Sequence, residues 1–259
     1  MFCSIIFPCR NPRVTRHASR VTKRIDTMKH IEPANITELH KYFLSVASHD
    51  LKSPLTGIIG FARILRNKPE LDSMLKEKCL SSIIQESERM GRIINNMLTW
   101  EKIKKKKLLL SFTMVNFSLL LKEISVNCLE RIERQNFHVH IEDNLNISGD
   151  PDRLKDIIDN IMGDLLLFTE EGGQVDLRAW KEDEHHINLV MSNTIFLLDP
   201  SIVKAIFKRK KPSLDTIDTD KGRALSFIVV RSLVELHGGT IKLEPLASRG
   251  YKFSLEFNI

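Results

Sequence analysis

Phe43-Leu44-Ser45-Val46-Ala47-Ser48-His49-Asp50-Leu51-Lys52-Ser53-Pro54-Leu55-Thr56-Gly57-Ile58-Ile59-Gly60-Phe61-Ala62-Arg63-Ile64-Leu65 is the stretch on which the reading of this chain turns. Phe43, Ala47, Leu51, Pro54, Ile58, Phe61 and Leu65 recur at steps of four and three, an apolar stripe along one side of a helix. At about 100° per residue, His49 falls about 200° from the centre of that stripe. Its imidazole therefore faces water or a docked partner, beside Asp50 and one turn from Ser53. Pro54 removes an intrahelical hydrogen bond at a cost of about 3 kcal/mol. A sequence that accepts this just after an exposed histidine is expected to use the kink.

Outward from this stretch, the first helix is expected over about Thr37–Arg66, and Asn67-Lys68-Pro69-Glu70 is a turn signal. A second stripe follows at Leu80, Ile83, Ser87, Met90, Ile94 and Met97. Two such helices make a hairpin with one face uncovered. A second copy would close it into a four-helix bundle, and the chain's own C-terminal half could also cover it. After Lys107 strands and helices alternate. Strands are expected at Phe137–Ile141, Val175–Ala179, Ile187–Met191, Thr240–Leu243 and Tyr251–Phe257, and helices at Leu119–Arg134, Asp152–Phe168 and Leu225–His237. Gly172-Gly173 and Gly238-Gly239 mark helix-to-strand turns. The fold class is α+β, a helical hairpin followed by a sandwich of helices on a mixed sheet.

At 259 residues the chain holds one large domain or two small ones. No apolar run approaches the roughly 18 residues needed to span a bilayer, so no transmembrane segment is expected. The net charge of +6 is concentrated at the start. Residues 1–27 carry Arg10, Arg13, Arg16, Arg20, Lys23 and Arg24 against Asp26, a balance of +5 that leaves the body near neutral. Such a tail reads as disordered, or as an extension upstream of a start at Met28. Lys102 and Lys104–Lys107 form a basic run at a domain junction, where a solvated surface is expected rather than a nucleic-acid site. Cys3, Cys9, Cys79 and Cys128 have no metal-ligand spacing, which points to a reducing compartment and no structural metal. His185-His186, among Glu182, Asp183 and Glu184, reads as a charged hairpin tip.

The 43–65 stretch closely resembles the phosphoacceptor box of two-component sensor histidine kinases, His-acid-x-x-(Ser/Thr/Asn)-Pro-Leu. The second half resembles their ATP-binding domain, of the Bergerat type shared with DNA gyrase and a heat-shock chaperone family. Gly149-Asp150-Pro151-Asp152-Arg153-Leu154, Phe168-Thr169-Glu170-Glu171-Gly172-Gly173 and Leu236-His237-Gly238-Gly239-Thr240-Ile241 look like its framing segments. The resemblance implies three parts: a basic tail at 1–35, a dimerisation and phosphoacceptor domain at 36–107, and an ATP-binding domain at 108–259. Inside the frame the family's chemistry is worn away. Asn160 matches the first asparagine of its Asn-x-x-x-Asn box, but Asp164 stands where the second would bind magnesium. Leu165 and Leu167 replace a small residue and a base. In the family's Asp-x-Gly-x-Gly box the aspartate bonds adenine; here Asn193 leads the stretch, and Ile195 and Leu197 replace both glycines. Gly222 alone remains of a Gly-x-Gly-x-Gly phosphate cradle.

The resemblance implies a homodimeric, cytoplasmic phosphotransfer protein or pseudokinase, phosphorylated on His49 and exchanging phosphate with a response regulator receiver domain. Asp50 would orient the imidazole, and Ser53 holds the position that directs dephosphorylation in the family. No cofactor is expected on this reading. The alternatives are a divergent soluble kinase using ATP and magnesium, and a non-catalytic dimeric module that regulates another histidine kinase.

Overall fold

The computed structural model describes residues 51–129, 136–167, 169–170, 172–194, 221–246 and 250–259, with the backbone alone at 221–224. All of them belong to one compact unit, Tyr42–Ile259. The basic tail, His49, Asp50, Ile195 and Leu197 lie outside the described residues.

Helix α1 occupies 51–67 and runs on through Pro54. Leu51, Pro54, Ile58, Phe61 and Leu65 are the buried or half-buried positions, joined only by Gly57, so the expected stripe is the packed one. Helix α2, Ser73–Lys104, is started by Asp72, whose carboxylate accepts the Leu75 N–H at 2.8 Å. Ile83, Met90 and Met97 of its expected stripe are half-buried, but Leu80, Ser87 and Ile94 are exposed. The split along the stripe has a physical cause. Helix α2 is apolar on two adjoining faces: Cys79, Ile83 and Met90 are buried or half-buried, whereas Leu80, Ile84, Ile94 and Leu98 are exposed. Glu86 lies across Gly57 of α1, its Cγ 3.3 Å from where a Cβ would stand.

Beyond the hairpin come β1 (Thr113–Asn116), α3 (Phe117–Leu129), β2 (Asn136–Ile141), β3 (Asn146–Gly149), α4 (Pro151–Leu167), β4 (Gln174–Lys181), β5 (His186–Asn193), α5 (Lys221–Leu236), β6 (Thr240–Pro245) and β7 (Tyr251–Asn258). Five strands form one sheet in the order β2-β4-β5-β7-β6, parallel between β2 and β4 and antiparallel elsewhere. Strands β1 and β3 pair separately, Val115 opposite Ile147. Alternation decides the faces: β5 and β7 bury every second residue. Leu177, Leu189, Met191, Phe253 and Leu255 thus line one side of the sheet. On that side α3, α4 and α5 supply Leu121, Ile157, Ile161, Phe227 and Val230 to the same core. Each such side chain contributes about 1.5–3 kcal/mol on burial.

The Gly238-Gly239 pair divides its work. Gly238 has φ 78°, which strains any residue with a Cβ. Gly239 is needed for space, because a Cβ there would lie 2.5 Å from the Glu256 carbonyl.

Candidate functional site: the hairpin and the sheet-domain asparagines

On α1, Ser53 is exposed, whereas Pro54, next in the chain, is buried in the hairpin seam. His49 and Asp50 precede the described residues, so the geometry bears on Ser53 and Pro54 alone.

The second group of candidate residues lies in the sheet domain, and their side chains are turned inward. Asn160, on α4, is buried; its Nδ2 donates to the Asp156 carbonyl at 2.7 Å. Its Oδ1 accepts the Asn96 amide of α2 at 2.7 Å and the Ser226 hydroxyl of α5 at 3.3 Å. Asn193, at the end of β5, is 1% exposed. Its Nδ2 donates to Thr169 Oγ1 at 3.0 Å, and its Oδ1 accepts the Tyr251 N–H at 3.3 Å. Both lone pairs of the Asn160 oxygen are spent, and the Asn193 amide is locked between β7 and the end of α4. As arranged, these two side chains do not fit a nucleotide: neither presents to a ligand the group that the family boxes use.

Asp164 follows Asn160 by one turn and is half-buried. Leu165 is fully buried in the core, and Leu167 is 41% exposed. Gly222 falls within the first turn of α5. The structure therefore brings Asn160 together with Ser226, just past the glycine remnant, and sets Asn193 apart on the sheet.

Two contributors were not singled out from sequence. Asn96 is one, and its signal was an amide spaced with Arg92, Thr99 and Ile103 on one face of α2, where Asn96 and Thr99 are buried. His237 is the other. The Asp150 N–H donates to its Nε2 at 3.1 Å, and its Nδ1–H donates to the Leu233 carbonyl at 2.7 Å. Burial holds its pKa below the ordinary value. Asp150 caps α4, accepting the Arg153 N–H at 3.2 Å and the Ser111 N–H at 2.8 Å, with Pro151 in the first helical position. His237 thus ties the end of α5 to the start of α4.

Among the described residues no cluster of His, Cys, Asp and Glu could hold a metal ion. His185-His186 closes the β4–β5 turn, with the His186 ring 2.8 Å from Asp183. No described helix is long and apolar enough to cross a membrane.

Two family descriptions match the chain: the His Kinase A (phospho-acceptor) domain over residues 39–106, and the histidine kinase-, DNA gyrase B-, and HSP90-like ATPase over residues 149–259. The chain belongs to the two-component histidine kinase family. It is 27% identical over 237 residues to the sensor histidine kinase GacS of Pseudomonas protegens, covering 88% of this chain and 26% of that protein. It is 28% identical to the sensor histidine kinase YclK of Bacillus subtilis, covering 86% and 47%. The chain thus spans about a quarter to a half of these curated relatives. Among solved structures, histidine kinase ThkA in complex with response regulator protein TrrA matches with a TM-score of 0.55 at 20% identity, over 93% of this chain and 66% of that one. Acinetobacter baumannii histidine kinase AdeS matches at 0.53 and 13% identity, over 81% and 97%. These likenesses agree with the fold: a helical hairpin followed by an α/β sheet domain of the histidine kinase type.

Proposed function

We propose that this chain is a dimeric two-component phosphotransfer protein, a pseudokinase phosphorylated on His49 that exchanges phosphate with the aspartate of a response regulator receiver domain. The working division is a tail at 1–35, the phosphoacceptor domain at 36–107 and a degenerate ATP-binding domain at 108–259. The observation that carries the reading is the contrast between the two halves. Ser53 is exposed beside a buried Pro54, while Asn160 and Asn193 are consumed by bonds within the protein.

The chemistry needs no nucleotide on the chain. A neutral ring nitrogen of His49 attacks the phosphorus of a receiver's aspartyl phosphate. The P–O bond to the aspartate breaks, and its electron pair returns to the carboxylate. Asp50 takes the proton from the other ring nitrogen. The reverse transfer delivers the group to a second regulator, and Ser53 orients water when the phosphoryl group is hydrolysed.

Dimerisation is part of the proposal. Leu80, Ile84, Ser87, Gly91, Ile94 and Leu98 of α2 are all exposed at alternating steps of four and three, with Leu55, Ile59 and Ala62 similarly spaced on α1. Two such stripes on one hairpin are the surface of a four-helix bundle. The cytoplasm is the proposed location, since Cys79 is buried and forms no disulfide.

A second reading is an ATP-dependent kinase, favoured by the ATPase-family match over residues 149–259. The deciding experiment incubates the full chain with a phosphorylated, radiolabelled receiver domain. An acid-labile label is expected on the wild type and not on His49→Ala. Undiminished labelling of His49→Ala would overturn the assignment. Calorimetric titration with magnesium ATP separates the readings, because a micromolar Kd would install the kinase instead.

A further inference from the structure

The long helix α2 belongs to the hairpin by sequence, yet its C-terminal half is built into the sheet domain. Met97, Trp100 and Ile103 pack against the domain core while remaining partly exposed, and Asn96 and Thr99 are buried at 6% and 5% exposure. Arg92 extends along α4 at Gly163. Its Cζ and Nε lie 3.0 Å from where a Cβ would stand, so the close crossing depends on that glycine. At the centre, the Asn96 amide and the Ser226 hydroxyl both donate to Asn160 Oδ1. One carbonyl oxygen therefore joins the hairpin (α2), the remnant asparagine box (α4) and the helix that follows the remnant glycine box (α5).

We infer that Asn96, Asn160 and Ser226 form a releasable latch that docks the ATP-like domain on the phosphoacceptor hairpin. A buried amide bond fixes register, yet nets only about 0.5–1.5 kcal/mol, because water replaces its partners on opening. The apolar side chains around it are half-buried, unlike those of the sheet core, so this seam opens before the core does. The linkage runs both ways: whatever draws Asn160 or Ser226 out of place weakens the grip on α2, and release of α2 frees both remnant boxes. The domain thus acts on the hairpin through its position, a role that survives loss of nucleotide chemistry. The inference rests on the contacts of α2 and not on transfer through His49, and its test reads docking alone.

The test is hydrogen–deuterium exchange on the full chain, wild type against Asn96→Asp. That substitution keeps the shape and sets a carboxylate oxygen against Asn160 Oδ1. Exchange should quicken at least tenfold in peptides spanning 92–103, 156–165 and 225–230, with β5 and β7 unchanged. Arg92→Ala, which leaves the amide intact and removes the side chain crossing Gly163, should quicken the same segments and serves if Asn96→Asp fails to fold. The latch is overturned if neither variant changes those segments. It is equally overturned if β5 and β7 quicken in step with them, because that pattern marks an ordinary core contact.

Discussion

Acidification should unfold this domain through His237. In the fold its two ring nitrogens have opposite duties: Nδ1–H donates to the Leu233 carbonyl, and bare Nε2 accepts the Asp150 N–H. A second proton would set an N–H against an N–H, in a site where the residue is 4% exposed. Burial accordingly lowers the pKa, with the Leu233 carbonyl and the Asp150 carboxylate opposing that shift more weakly. The folded pKa lies below the unfolded value of about 6.5, so the unfolded chain binds the extra proton first. Stability from neutral His237 is therefore complete above about pH 6.5 and is lost as pH falls toward the folded pKa. The slope approaches about 1.4 kcal/mol per pH unit. His186 shifts the opposite way beside Asp183, but that pair is exposed and screened by solvent. Urea unfolding from pH 7.5 to 5 measures the effect, and subtracting the profile of His237→Gln isolates it from the carboxylates. The variant should lose about 1–3 kcal/mol at pH 7.5, from the Asp150 N–H and Leu233 carbonyl it cannot serve as well, and should unfold with a flatter pH profile. Parallel profiles for the two proteins would refute the reasoning.

Ile84→Glu with Leu98→Glu should yield a monomer by light scattering at micromolar concentration. Both side chains lie more than half exposed on the free stripe of α2, and symmetry counts each twice, so about 3 kcal/mol or more, a hundredfold or larger rise in Kd, is expected. A dimer that persists unchanged would move the interface elsewhere. Gly250→Ala should lower the thermal midpoint by several degrees or prevent folding, since its Cβ would fall 1.7 Å from the Asn193 carbonyl oxygen, a backbone atom that cannot yield cheaply. A midpoint equal to wild type by calorimetry would show that the approach is looser than this.

What the sequence disclosed follows from which patterns are long enough to read. The 51–65 stripe is legible because a helix turning 100° per residue repeats its packed face several times, and strands β5 and β7 are legible because each alternates over eight residues. Strands β1 and β3 were missed: at four residues each they are too short for a period, and their pairing joins segments some thirty residues apart. The inward and outward faces of α2 were not separable from sequence, because Leu80 and Ile94 are as apolar as Ile83 and Met90. Hydrophobicity marks a residue for burial without saying whether its own chain or another copy will bury it. The roles of Asn96 and His237 were illegible for a different reason: a polar residue in a helix reads as surface until its partner across the fold is known.

On the proposed pseudokinase reading, the altered nucleotide boxes have an outcome that loss of function alone does not explain. A binding site relieved of its ligand leaves polar side chains stranded, each costing about 1–3 kcal/mol if buried without a partner. Here the two asparagines are instead reabsorbed, and by different elements. Asn193 binds Thr169 and Tyr251 and so closes the sheet end of the domain, whereas Asn160 binds Asn96 and so reaches the hairpin. The first use is structural, because every partner belongs to the sheet domain. The second crosses from the ATP-like domain to the helix that forms half of the phosphoacceptor hairpin. An apolar replacement at residue 160 would have filled the same space with no demand on α2. An amide there requires α2 in one register and one orientation, so the bond between Asn96 and Asn160 couples the two halves without calling on nucleotide chemistry.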